Sequence, residues 1–165
     1  MEFSRLYLAI ISVLGILLLV SYKYLYSVKL WGSIDGSFRS WYLISMFVAA
    51  FGFILMMYYM RIGKSFSHSD VMQLFITSLV IIIISMLWMP FSLQYYKHPI
   101  LWLKIIILLI LLTVALAGFY AILRIYWVKE TEYKMTKIMA IIGMKYFFLH
   151  TFVLDLIIWS KNFLA

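Results

Sequence analysis

Residues 100–123 read ILWLKIIILLILLTVALAGFYAIL, with Lys104 the single charge. As a helix the segment is about 36 Å long at about 1.5 Å per residue, enough to cross a hydrocarbon core about 30 Å thick. It is apolar all round, so no face of it is suited to water. This stretch decides the fold: a lipid-surrounded helix. Pro99 just before it fits the first helical position, and Arg124 closes it.

Working outward, four more segments have the same character. We expect spans at residues 6–26, 41–60, 71–89, 100–123 and 138–159, each near the roughly 20 residues that a bilayer requires. Residues 6–21 follow Arg5 and run into Tyr22-Lys23-Tyr24, an interfacial pattern rather than a small-x-small cleavage site. Asp35-Gly36 marks the reversal after the first span. Asp70-Val71-Met72-Gln73 has capping-box spacing and predicts a helix start. Pro90 predicts a break or kink, with a turn over residues 91–98. Arg124 to Lys137, which includes Lys129, Glu130, Glu132 and Lys134, reads as an interfacial link.

The whole chain agrees with its parts. Of 165 residues 67% are hydrophobic and 12% charged, against about 25% charged in soluble domains. A water-soluble globule and a disordered chain are both excluded. The expected architecture is an all-α, polytopic integral membrane protein, a single bundle of about five transmembrane helices over 1–165. No convincing internal repeat marks it as an inverted-repeat transporter.

The net charge is +8 and cysteine is absent. The basic residues gather at helix ends, facing headgroups, with no stripe that would track phosphates, so nucleic acid is not an expected partner. Thiolate metal sites, cysteine nucleophiles and disulfides are excluded. Arg5, Arg61, Lys64, Arg124, Lys129, Lys134 and Lys137 fall on one side of a five-span topology; Lys23, Lys29, Arg39, Lys97, Lys104 and Lys161 fall on the other. Seven against six favours the N-terminus inside only weakly.

Small residues recur at Ser45, Ala49 and Gly52, and at Thr113, Ala117 and Ala121, where helices can approach closely. Tyr and Trp, including Trp31, Trp41, Trp88, Trp102, Trp127 and Trp159, are expected in the interfacial belts. Trp88-x-Pro90 resembles the tryptophan-rich translocator (sensory) family at those two residues; residues 37–57 have no counterpart to that family's Pro/Trp-rich approach, and no ligand is carried over.

Ionisable residues inside a span are costly and are functional candidates. Four qualify: Lys104, Lys145, His150 and Asp155. Lys104 lies four residues into its span and Asp155 four before the end of the next, both about 6 Å inside the same face. The expectation is that they pair, either as a structural bridge or as a coupling carboxylate gated by its lysine. Lys145 has no acid at its depth: it lines a wet cavity, meets another subunit, or lies outside a span that starts later. His150 is nearest the midplane, read as a core histidine or as a proton relay, haem or metal ligand. Five residues separate it from Asp155, which at the α-helical pitch is about 140° of rotation, so the two do not share a face. A three-His metal site and bis-His haem both fail on topology.

No paired carboxylates, G-x-S-x-G, H-E-x-x-H or phosphate loop is present, so no catalytic residue is assigned and no cofactor is identified. Three functions follow. One is an oligomeric subunit translocating ions, protons or a small solute through Asp155, Lys104, Lys145 and His150. Another is an accessory subunit of a larger membrane complex. The third is a binder of an apolar ligand such as a sterol or tetrapyrrole. The expected partners are membrane lipids, and either further copies of the chain or other membrane subunits.

Overall fold

A computed structural model describes residues 2–63, 65–129 and 132–164, with side chains from Arg5 onward. Lys64 and Glu130 lie outside the described residues. The chain forms five helices long and apolar enough to cross a membrane, and no strand among the described residues. These are α1 (Glu2–Leu25), α2 (Gly36–Ile62), α3 (His68–Lys97), α4 (Leu101–Trp127) and a fifth of three parts. The fifth begins as α5 (Lys134–Leu149), continues as a π-helix over His150–Trp159, and ends as the short α6 (Ser160–Phe163).

The helix boundaries differ from expectation for identifiable reasons. Helix α3 starts a turn earlier than residue 71 because Ser67, not Asp70, is its cap. The Ser67 hydroxyl accepts from the Asp70 amide at 3.1 Å, and the Asp70 carboxylate accepts from the Ser67 amide at 3.0 Å. Asp70 therefore closes a capping box from its third position. Helix α3 also continues past Pro90 to Lys97, so residues 91–97 are helix and not turn. Proline's fixed φ is itself helical; its cost is one missing hydrogen bond, which spanning helices tolerate because neighbouring groups compensate. Pro99 precedes the cap Ile100 instead of opening α4, and it holds His98 out of the helical region at φ −137° and ψ 88°.

The helices close a ring in the order α1, α3, α4, α5, α2, with the most extensive packing between α2 and α5. That contact is set by glycine. Where α5 crosses α2, a Cβ on Gly143 would fall 2.7 Å from the Cα of Gly52, and a Cβ on Gly52 would strike the Gly143 backbone. Two missing side chains let the backbones touch, which is how membrane helices gain packing where no hydrophobic drive separates them from lipid. Ala49, Met56, Tyr59, Ala140, Met144 and Phe147 fill the core on either side. The second small-residue stripe is only partly inward: Ala121 is fully buried, but Thr113 faces outward from α4.

The first connection folds onto the end of the fifth helix. Val28–Trp31 forms a 3₁₀ turn. Gly32 follows at φ 55°, a left-handed conformation that suits glycine, pressed onto the Asn162 carbonyl. Ser33 donates its amide to that carbonyl at 3.3 Å, and Trp159 Nε1 donates to the Leu30 carbonyl at 2.7 Å. Two tryptophans expected in the belts are therefore core residues: Trp31 is 6% and Trp159 1% exposed. Trp41, Trp102 and Trp127 face outward, as a belt requires.

Candidate functional site

The polar centre of the bundle lies between α2 and the fifth helix. Tyr42, near the start of α2, donates its hydroxyl to Asp155 Oδ1. His150 Nε2 stands 3.5 Å from the same oxygen. On the other side of the imidazole, His150 Nδ1 is 2.8 Å from Ser45 Oγ. Ser45 Oγ in turn is 2.9 Å from the Tyr146 hydroxyl. Tyr146, Ser45, His150, Asp155 and Tyr42 thus form one chain of exchangeable groups between α2 and residues 146–155 of the fifth helix. His150 in its middle is buried at 5% exposure and Tyr42 at one end at 3%; Tyr146 at the other end is 37% exposed, and the Asp155 side chain is 21% exposed.

The expected separation of His150 and Asp155 onto different faces is corrected by the π-helix. That reading assumed the α-helical pitch. In a π-helix the backbone bonds residue i to i+5, so residues five apart stack about one turn above each other. Both residues lie within His150–Trp159, and the wider turn sets one below the other. Hydroxyls brace both ends of the segment. Thr151 Oγ1 donates to the carbonyls of Phe147 at 3.0 Å and Phe148 at 3.2 Å; Ser160 Oγ donates to those of Leu156 and Ile157. Such back-bonding competes with the α-helical ladder, and the β-branched Thr151, Val153, Ile157 and Ile158 crowd it further.

The expected Lys104–Asp155 pair is also corrected. Lys104 does lie beside the end of the fifth helix, but its Nζ donates to the Leu164 carbonyl at 2.6 Å. Carbonyls at a helix C-terminus have no partners within the helix and carry partial negative charge, so they take the ammonium. A shallow cleft of about 290 Å³ lies there, lined by Lys104, Leu108, Ser160, Lys161 and Leu164. Lys145 joins neither group. It projects outward from α5, eleven residues into a helix that begins earlier than expected, not later. The four candidates thus divide: His150 and Asp155 come together, Lys104 caps a helix, and Lys145 stands apart.

Tyr42 was not singled out from the sequence, and Ser45 and Tyr146 were not read as members of a polar chain. A signal was present. Tyr42, Ser45, Ala49, Gly52, Met56 and Tyr59 recur at alternating spacings of three and four, which puts both hydroxyls on the packed face of α2. A second polar contact that the sequence did not suggest ties α3 to α4: Arg124 donates to Asp70, and Tyr120 donates to Gln73 Oε1 at 2.6 Å. Beside it lies an outward groove of about 330 Å³ between Ile76, Thr77, Val80, Thr113, Leu116, Ala117 and Tyr120. Trp88 Nε1 and Ser92 Oγ, one turn apart on α3, are buried without a hydrogen-bond partner among the described residues. The described residues contain no cluster of three His, Cys, Asp or Glu that could hold a metal ion.

No family model, no curated protein and no solved structure matches this chain.

Proposed function

We propose that this is a proton-handling subunit of a membrane translocation system, with Asp155 and His150 as the groups that bind and pass the proton. The observation that carries this reading is the polar series from Tyr146 through Ser45 and His150 to Asp155 and Tyr42, exposed at Tyr146, buried at His150 and Tyr42, and partly exposed at Asp155. Carboxylates and imidazoles in series inside a membrane are the usual parts of a proton relay. Intramembrane charge is expensive, and a bundle held together by glycine packing has no structural need of it.

The chemistry follows the chain. With its proton on Nε2, His150 accepts from the Ser45 hydroxyl at Nδ1, and Ser45 accepts from Tyr146. A proton arriving at Ser45 moves onto Nδ1 while Nε2 delivers its own to Asp155. A small rotation of the ring closes the 3.5 Å gap to Oδ1. Tyr42 holds the carboxylate in place and gives its negative form a donor. The imidazole then carries its proton on Nδ1 and must rotate or return it before the next transfer. The 3₁₀ turn at Val28–Trp31 covers this end, with the Trp31 ring edge-on to Tyr42 at 5.2 Å.

The test is proton movement into vesicles of the purified full chain, read by an entrapped pH-sensitive dye under a potassium diffusion potential. Wild type is expected to move protons. Asp155→Asn and His150→Gln are expected to stop the movement while retaining the native elution profile. Equal rates in wild type, both variants and empty vesicles contradict the proposal.

A further inference from the structure

The outward face of α5 and the following turn carries Ile138, Ile142, Leu149 and Val153, an apolar stripe suited to lipid. Lys145 interrupts it. It makes no hydrogen bond or ion pair among the described residues. Two rulers fix its depth. Lys137 is anchored at the helix end by the carbonyls of Val128 and Tyr126, and Lys145 lies eight residues further on, about 12 Å. The neighbouring crossing at Gly143 and Gly52 lies nine residues from Arg61 on α2, about 13 Å. A lysine stem spans roughly half of that distance, so snorkelling to headgroups falls short.

We propose that Lys145 marks a docking face for a transmembrane helix of a different protein, one carrying a carboxylate about 12 Å from the Lys137 side of the membrane. Charge complementarity selects this occupant. A lone ammonium on a lipid-facing stripe is costly, and a partner carboxylate at its depth removes that cost. A second copy of the chain cannot supply it. The six acids are Glu2, Asp35, Asp70, Glu130, Glu132 and Asp155; the first five belong to helix ends or links, and Asp155 lies ten residues beyond Lys145, engaged by Tyr42 and His150. Tyr146 shares this face, so the docked carboxylate stands beside the outer end of the polar chain. Docking does not depend on the proton-handling reading, because its test reads association and not flux.

The experiment uses the full chain, donor-labelled, in phosphatidylcholine vesicles with acceptor-labelled poly-leucine transmembrane peptides. One peptide carries a single Asp eight residues below a lysine flank, and its control carries Leu there. Energy transfer is expected to show about tenfold tighter association with the Asp peptide, the scale of an interhelical polar contact in lipid. The difference should vanish in Lys145→Leu and persist in Lys104→Met. Lys145→Glu should reverse the preference, binding a Lys peptide over the Asp peptide. Equal binding of Asp and Leu peptides overturns the proposal, as does an Asp preference that survives Lys145→Leu. A dipolar nitrogen–phosphorus coupling between Lys145 Nζ and lipid phosphate, in vesicles without peptide, also overturns it by showing that headgroups already satisfy the lysine.

Discussion

Lys104 and Asp155 lie near one end of the bundle, yet each has found a different partner, and side-chain reach explains the choice. The ammonium of Lys104 meets the C-terminal Leu164 carbonyl before it can meet a carboxylate two turns deeper. Asp155 is met by a phenol and an imidazole from within the bundle. Lys104→Met is therefore expected to cost about 1 kcal/mol, the worth of one hydrogen bond, in thermal unfolding followed by tryptophan fluorescence. It should leave proton movement at the wild-type rate. A loss of proton movement equal to that of Asp155→Asn would instead couple the two residues. That all four intramembrane ionisable groups deserved attention was legible in the sequence, because apolar surroundings make each of them conspicuous. Their partners were not, because pairing depends on which carbonyls a helix end leaves free and on how far a side chain extends.

At the scale of elements, two features position the site. The first is the Gly52–Gly143 crossing, which brings α2 close enough for Tyr42 and Ser45 to touch the fifth helix. Gly143→Leu is expected to destabilise the bundle by about 1–3 kcal/mol, as overpacking does, and to separate Ser45 from His150. Ile142→Leu, one residue away on the outward face, should change stability little; denaturant titration of the two variants makes the comparison. The second feature is the π-helix. Half of the crossing could be read from Ser45, Ala49 and Gly52, since small residues one turn apart announce a close approach. Its mate on α5 carries the same spacing at Thr136, Ala140 and Gly143, but it was not read there. The π-helix itself left no readable pattern: hydrophobic periodicity assumes a pitch before it reports one, and the five-residue bonding changes the pitch. The start of α3 was misplaced by one turn because Asp70 was read as the cap and not as the third residue of the box, and the expected turn after Pro90 gave way because membrane helices can continue past proline.

The whole molecule is a ring of five helices in which α2 and the fifth helix, far apart in sequence, make the main contact. Five spans were legible because a bilayer core demands runs of about 20 apolar residues, and the chain has five of them. Their order around the ring was not, because lipid surrounds every helix alike and leaves no apolar side to point inward. That order makes the polar chain possible. The functional account rests on one consequence of it: the π-pitch sets His150 against Asp155, inside the α2 contact. The direct measurement is magic-angle-spinning NMR in lipid vesicles on a chain labelled with ¹⁵N-histidine and ¹³C-aspartate, with His68 and His98 replaced by Gln so that His150 alone reports. Dipolar recoupling should give a His150 Nε2 to Asp155 Cγ separation within about 5 Å, the span of a hydrogen-bonding pair. No measurable coupling, as expected if residues 150–159 keep the α-helical pitch and turn the two side chains about 140° apart, would contradict the account.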